Sequence, residues 1–519
     1  MTSTVTAAPL PGERPSLVER IGKAIPDPMI IFAWLWVIFF ALSVLFAGAS
    51  YETRGADGAA VTQTVKSMAT AENVRWIFDN MVLANFMSFG GGVLGIILLV
   101  SMAVGVAEHA GLLGALIKRA GAAIPERLLH ISMVFLGIMS SLAVDAGYLI
   151  LVPLAGLLYA SLGKHPLVGM MAAFAGVSAG FSANLVPGTP VDVIIGVNAA
   201  AFAQAQGVPF VGAHGQPINA ATMNYYFLAA STFLLAPLGA WVTHRYVAPR
   251  MARVPFEVPS DINIGEFALT PEEKRGLRFA GLGLLASLAL YAALAFGPLA
   301  AYTNPETGAE VVPYLERLVI FVAITFLVCG AAFGYASGRM KTAMDLFNGM
   351  VLQMNTMGYI IVLSFFAYNA LSLFTYSGLG ALMTHHGAGL LVALRLDQAT
   401  IPLLIGFVLL TGTVNLLIAG LTAKWLLLGP LFIPMLFAVN PDFTPDVVAA
   451  AYRVADSSTN IITPMMIYMG IILAFMRRYV PRFTLGELII AMFPFSVVFL
   501  LVWTAFLVGW VALGVPLGF

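Results

Sequence analysis

The chain has 519 residues, 60% of them hydrophobic and only 10% charged, with zero formal net charge and a mean hydropathy of +0.93. Soluble domains carry about 25% charged residues, so this composition belongs to a membrane protein, and without a basic excess there is no face for nucleic acid. The single cysteine, Cys329, excludes an internal disulfide and any multi-cysteine metal site.

Residues 1–27 hold Pro, Glu, Arg and Lys with no early apolar core and cleavage site, and read as a retained cytoplasmic segment rather than a signal peptide. A run of about 20 apolar residues is enough to cross a bilayer. Crossings are predicted at 29–49, 88–117, 167–205, 222–243, 278–298, 316–336, 345–376, 447–475 and 485–515. Two further apolar stretches, 128–163 and 400–439, carry Gly, Ser, Thr or Pro near their middle or second half.

Lys and Arg mark the cytoplasmic ends of short loops. They cluster at Arg14, Arg20 and Lys23, at Lys118, Arg119 and Arg127, through the 244–277 loop, at Arg339 and Lys341, and at Arg477, Arg478 and Arg482. These groups alternate correctly when 128–163 and 400–439 enter and leave on one side, either as re-entrant hairpins or as pairs of short spans. The expected architecture is an all-α polytopic membrane protein with nine crossings and two hairpins.

A repeat supports the hairpin reading. Residues 142–154 (LAVDAGYLILVPL) match 419–431 (AGLTAKWLLLGPL) at a shift of 277, and Ala173, Ser182 and Asn184 match Ala449, Ser458 and Asn460 at a shift of 276. Upstream, LGAL at Leu113–Leu116 recurs at Leu379–Leu382. The first crossing and its counterpart at 316–336 run in opposite senses, so the copies are predicted to be inverted. The division expected is a first repeat at 28–243, a loop and connecting helix at 244–298, and a second repeat at 299–519. Inverted repeats meeting at broken helices are a signature of secondary transporters.

The predicted breaks carry the chemistry. In SANLVPGTPVD (182–192), Pro187, Gly188 and Pro190 cannot sustain a helix. Freed carbonyls with Ser182, Asn184, Gly188 and Thr189 suit a small hard cation; a plain proline kink is the alternative. The second break, SSTNIITP (457–464), holds Asn460 and ends at Pro464. Arg453 and Asp456 share a helix face three residues apart, either as a self-contained ion pair or with Arg453 gripping a substrate carboxylate by its planar fork. Asp145 and Asp192 are further embedded carboxylates, each a candidate cation ligand or proton carrier, and Asp192 is also placed to cap the helix after it. Thr422 and Trp425 share a face if their hairpin arm is helical, an arrangement suited to a ring-bearing solute or to an interfacial anchor. Between them, Lys424 either snorkels or pairs. Glu108 and His109 end a crossing near the interface and read as structural. No Walker A or HExxH motif is present, and the serine of GFSAN has no elbow glycine after it, so an intramembrane enzyme is the weaker class and no cofactor is expected.

Several stretches together resemble the p-aminobenzoyl-glutamate transporter family (AbgT type). They are IPDPMIIF (25–32), GVAEHAGLL (105–113), DAGYLILVPL (145–154), GFSANLVPGT (180–189), TAKWLLLGPLFIPML (422–436), YRVADSSTNIITP (452–464) and FPFSVVFLLVWT (493–504). The resemblance implies a homodimer in a bacterial inner membrane, with nine crossings and two hairpins per subunit, moving p-aminobenzoyl-glutamate, or exporting sulfonamide antimetabolites, coupled to Na⁺ or H⁺. It places the family's functional positions on Asp192, Thr422, Trp425, Arg453, Asp456 and Pro464. Thr422 stands where relatives often have Ser, LIAGL (417–421) replaces a Ser-rich run, and Gly378 stands where Asn is common.

Overall fold

The computed structural model describes residues 26–54, 60–122, 125–142, 147–258, 269–303, 310–395, 399–418, 420–463, 466 and 468–519. It is built from helices, with two short β-hairpins outside them. The first half contains α1 (Pro28–Leu45), α2 (Ala71–Asn80), α3 (Gly90–His109), α4 (Leu112–Ala122), α5 (Leu129–Met139), α6 (Val152–Ser161), α7 (Pro166–Phe174), α8 (Pro190–Ala205) and α9 (Tyr225–Val242). A long helix, α10 (Pro271–Ala295), connects to the second half. That half holds α11 (Leu318–Ser337), α12 (Ala343–Tyr376), α13 (Leu379–Ala393), α14 (Thr400–Leu417), α15 (Leu421–Val439), α16 (Pro445–Asn460), α17 (Met469–Arg477) and α18 (Leu485–Ala512).

The starts of many helices follow one local rule. A capping residue precedes a proline at the first helical position, where the missing N–H costs nothing, at Asp27–Pro28, His165–Pro166, Thr189–Pro190, Thr270–Pro271 and Thr444–Pro445. Thr189, Thr270 and Thr484 complete reciprocal capping boxes with Asp192, Glu273 and Glu487. Glu273 is buried and also takes Lys118 at 3.2 Å and Arg339 at 2.9 Å, tying the connector to both halves.

Among the described residues, eight helices are long and apolar enough to cross a bilayer, and α3 with α4 makes a ninth only if a pair bent by 62° is one span. The predicted crossing at 88–117 is therefore bent, and the reason is Gly111, whose φ of +82° ends α3. The arms of the first hairpin are short: α5, at 11 residues, reaches only about 16 Å. Those of the second, 18 and 19 residues, reach about 27 Å each, so length alone does not separate a re-entrant arm from a crossing there. Of the helices named above, two lie outside every predicted segment: α2, and α13, which shares its LGAL start with α4. Each of α4 and α13 begins directly after a left-handed glycine, Gly111 or Gly378 (φ +81°).

The repeat seen in the sequence has a counterpart in packing. The helix α1 lies on α12 of the other half, and its counterpart α11 lies on α3. First hairpin arms stay with their own half, α5 against α7 and α9, α14 against α16 and α18. Second arms also pack within their own half, α6 on α7 and α15 on α13 and α16, and in addition reach across, α6 to α17 and α15 to α8. The pairs α3 with α12 and α9 with α18 close the exchange. Both predicted breaks are present, between Ala179 and Pro190 and between Asn460 and Met469, and the core is centred on them: every described residue from Pro445 to Thr459 is buried.

Candidate functional site

The first break turns on Gly188, whose φ of +69° a side chain would strain. It delivers Thr189 as the cap of α8. Asp192 lies one turn in and accepts from the Thr189 amide at 2.9 Å, the Thr189 hydroxyl at 2.7 Å and Asn184 Nδ2 at 3.4 Å, all through Oδ2. Its other oxygen is thereby left for a partner across the interface. That partner is Arg453 of α16, whose Nη2 sits 2.5 Å from Asp192 Oδ1 and also donates to the Ser182 carbonyl at 3.2 Å. Both side chains are buried. The Ser182 amide donates to Ser457 Oγ at 3.2 Å, so the first break is bonded directly to α16.

Of the two alternatives for Arg453 and Asp456, the self-contained pair is not formed. Arg453 reaches the first half, whereas Asp456 takes Lys424 of α15 at 2.7 Å, with each side chain 1% exposed. Lys424 therefore pairs and does not snorkel. Its ammonium also donates to Asn415 Oδ1 of α14. Asn415 in turn donates to the Asp456 carbonyl at 2.6 Å and to Thr459 Oγ1 at 2.8 Å. The contact to Asp456 Oδ1 is one of charge, not aligned as a hydrogen bond.

Trp425 is fully buried. Its indole N–H donates to the Ile195 carbonyl of α8 at 2.9 Å, with Tyr452 4.7 Å and Phe202 6.2 Å from its ring. The arm is helical, so Thr422 and Trp425 share the start of α15, Thr422 being half-buried. Asn460 is half-buried at the end of α16. Asp145 and Pro464 lie outside the described residues. Buried polar atoms without a hydrogen-bond partner occur in the first break, Ser182 Oγ and Asn184 Oδ1, and on α16, Ser458 Oγ and Arg453 Nε, among others. Oxygens of this kind suit a hard cation, and a free guanidinium N–H suits an anion.

Sequence reasoning passed over Asn415 and Ser457. Asn415 had a visible signal, a lone amide in the apolar run LLTGTVNLL, whereas nothing in the spacing marked Ser457 as the residue that meets Ser182.

With this geometry in place, relatives can be compared. A model described as the AbgT putative transporter family matches residues 15–519. The chain belongs to the AbgT family. A p-aminobenzoyl-glutamate transport protein of Escherichia coli (strain K12) is 28% identical over 99% of this chain and 98% of its own. The crystal structure of the Alcanivorax borkumensis YdaH transporter superposes with a TM-score of 0.85 at 35% identity, covering 95% of this chain and all of the other. The structure of Neisseria gonorrhoeae MtrF, described as illuminating a class of antimetabolite efflux pumps, superposes with a TM-score of 0.83 at 32% identity over 95% and 96%. This AbgT-family protein is thus a multi-pass membrane transporter, and the broken helices on which Asp192 and Arg453 face each other are the feature a moving carrier needs.

Proposed function

We propose that this transporter moves aromatic carboxylates of the p-aminobenzoyl-glutamate type by cation-coupled secondary transport across a bacterial inner membrane. The observation that carries this reading is the buried pair of Arg453 and Asp192, one residue from each half, where the first break meets α16. A substrate carboxylate and Asp192 compete for one guanidinium. Whichever wins, the other carboxylate needs a cation, because a buried charge left unpaired costs several kcal/mol. Asp192 remains held by Thr189 and Asn184 after release, with Ser182, Asn184 and Ser458 supplying further oxygens. Coupling to Na⁺ or H⁺ follows from that balance. The crosswise packing supports two inverted halves that exchange roles as the site opens to either side. The N-terminus is assigned to the cytoplasm by the basic loops, and a homodimer is the assembly we assign; cross-linking in native membranes tests the latter.

The decisive assay is counterflow of labelled p-aminobenzoyl-glutamate in proteoliposomes with Na⁺ or a proton gradient present or absent. Arg453→Ala should abolish binding; unchanged uptake by the folded variant sinks the assignment. Substrate recovered chemically unchanged after translocation argues against the enzyme class. A second reading, export of sulfonamide antimetabolites, is favoured by the likeness to MtrF. Sulfonamides carry no carboxylate for Arg453, so under this reading Arg453→Ala spares sulfonamide flux while losing the carboxylate substrate.

A further inference from the structure

We propose that Lys424 is a built-in counter-cation that the coupling ion displaces from Asp456, so that ion binding releases the second hairpin. The inference rests on the cation-coupled reading above and assigns the coupling step to a residue that reading does not use. Lys424 belongs to the hairpin arm α15, and Asp456 to the broken helix α16. Their contact at 2.7 Å, with Asn415 as the second oxygen on the ammonium, is a charged bond between hairpin and core with almost no solvent access.

Comparison of the two halves shows that the fold does not need this bond. At the repeat's shift of 277, Asn415 and Lys424 correspond to Ile138 and Gly147, and at the shift of 276, Asp456 corresponds to Gly180. One of these contacts recurs in both halves. A Cβ built on Gly180 would lie 2.6 Å from Ile138, just as Asp456 meets Asn415. At these three positions the first half has only small or apolar residues, and the second has an ion pair with an amide beside it. Replacing buried pairs by apolar groups is often neutral or stabilising, so a pair kept in one copy only is explained by what it does.

Moving α15 away from α16 would strand two charges in a low-dielectric interior, which holds the hairpin shut. A Na⁺ or a proton arriving on Asp456 removes the reason for Lys424 to stay. The Asp456 and Asn415 oxygens pass to the ion, and the Lys424 ammonium, left without a partner in the interior, leaves with α15 toward water as the hairpin parts from the core. The groups facing this junction are Lys424 from α15, Asn415 and Thr459 by hydrogen bond, and Tyr452, which lies electrostatically close to Asp456 from one turn earlier on α16. Arg453 on the same helix is occupied by Asp192.

The test uses purified full-length protein, with unfolding temperature followed against Na⁺ concentration and pH, alongside uptake in proteoliposomes. Lys424→Met should bind the ion at least about tenfold more tightly, since its competitor is gone, and should lose the dependence of uptake on the imposed cation gradient. If the single variant fails to fold, Lys424→Met combined with Asp456→Asn removes both charges; it should fold, and show neither Na⁺ nor pH response from this site. Lys424→Arg, which keeps the tethered charge, should retain gradient dependence. Wild-type cation response in either Met-containing variant overturns the proposal while leaving cation coupling intact. A wild type without any cation response overturns both.

Discussion

Trp425 decides whether the aromatic side chain near the break is a surface for substrate or a strut between the halves. In this conformation its ring is covered by Tyr452 and Phe202, and its N–H is spent on the Ile195 carbonyl. Trp425→Phe keeps a ring and removes one hydrogen bond, worth about 0.6–1 kcal/mol within a membrane protein. It also removes part of the buried volume, at about 1–2 kcal/mol. The sum, about 1.6–3 kcal/mol, is a roughly 15- to 150-fold loss in folding equilibrium. Trp425→Ala empties the whole site and should cost about 3–5 kcal/mol. The assay is detergent-titrated unfolding of the purified variants, paired with equilibrium dialysis of labelled p-aminobenzoyl-glutamate. A strut predicts a graded loss of stability, Ala worse than Phe, with Phe binding within about threefold of wild type once corrected for the folded fraction. An Ala variant as stable as wild type that no longer binds would refute the reasoning and make Trp425 a substrate surface.

Arg453→Met and Asp192→Asn should each destabilise by about 3–5 kcal/mol, while the double variant recovers at least half of the worse single, as a buried pair requires; a cycle that closes additively in unfolding titrations would contradict the pairing. His165 caps α7 by accepting from the Leu167 amide through Nδ1 at 3.2 Å, and its Nε2 lies 3.1 Å from the Val254 carbonyl. Burial pushes this imidazole below its ordinary value, opposed by the Val254 carbonyl, so the unfolded chain binds the proton first, and stability should fall as pH drops below about 6.5; His165→Asn, a capping residue that does not titrate, should flatten that part of the pH profile of unfolding. Gly378 occupies φ +81° before α13, so Gly378→Ala should cost about 1 kcal/mol and Gly378→Asn clearly less, read from thermal unfolding of the pair.

What the sequence could disclose here follows from the kind of interaction involved. Helix starts and breaks are local events, and the Thr189–Pro190 start, the turn at Gly188 and the repeat around Pro153 and Pro430 were legible because each depends on residues within a few positions. The bend at Gly111 is equally local, yet a glycine in GVAEHAGLL reads as one more small residue until its φ is known. Charge partners are another matter. Arg453 and Asp456 look like a pair at three residues' distance, but each had a better partner far away in the chain, Asp192 and Lys424, and a buried charge goes to whichever partner desolvates it least. Only the fold brings those choices into range.

The two pairs also set the two sequence repeats apart. Ser182 and Ser458, each followed two residues later by Asn, repeat in the sequence, but the first pair lies in the break after Ala179 whereas the second still belongs to α16. At the positions of Trp425, Arg453 and Asp456 the first half has Tyr148, Val177 and Gly180. Tyr148 stacks on Tyr468 of the second break at 4.2 Å, an apolar version of the contact Trp425 makes with α8. Each hairpin's second arm thus leans on the other half's broken helix, so neither break can rearrange without moving the opposite hairpin. Val177, Gly180 and Gly147 stand where the second half has Arg453, Asp456 and Lys424, so under the proposed coupling an ion and a carboxylate acting at the second junction alone bias both. A charged pair at the first junction as well would have to be broken in the same movement, doubling the electrostatic penalty of each cycle without adding a second substrate site.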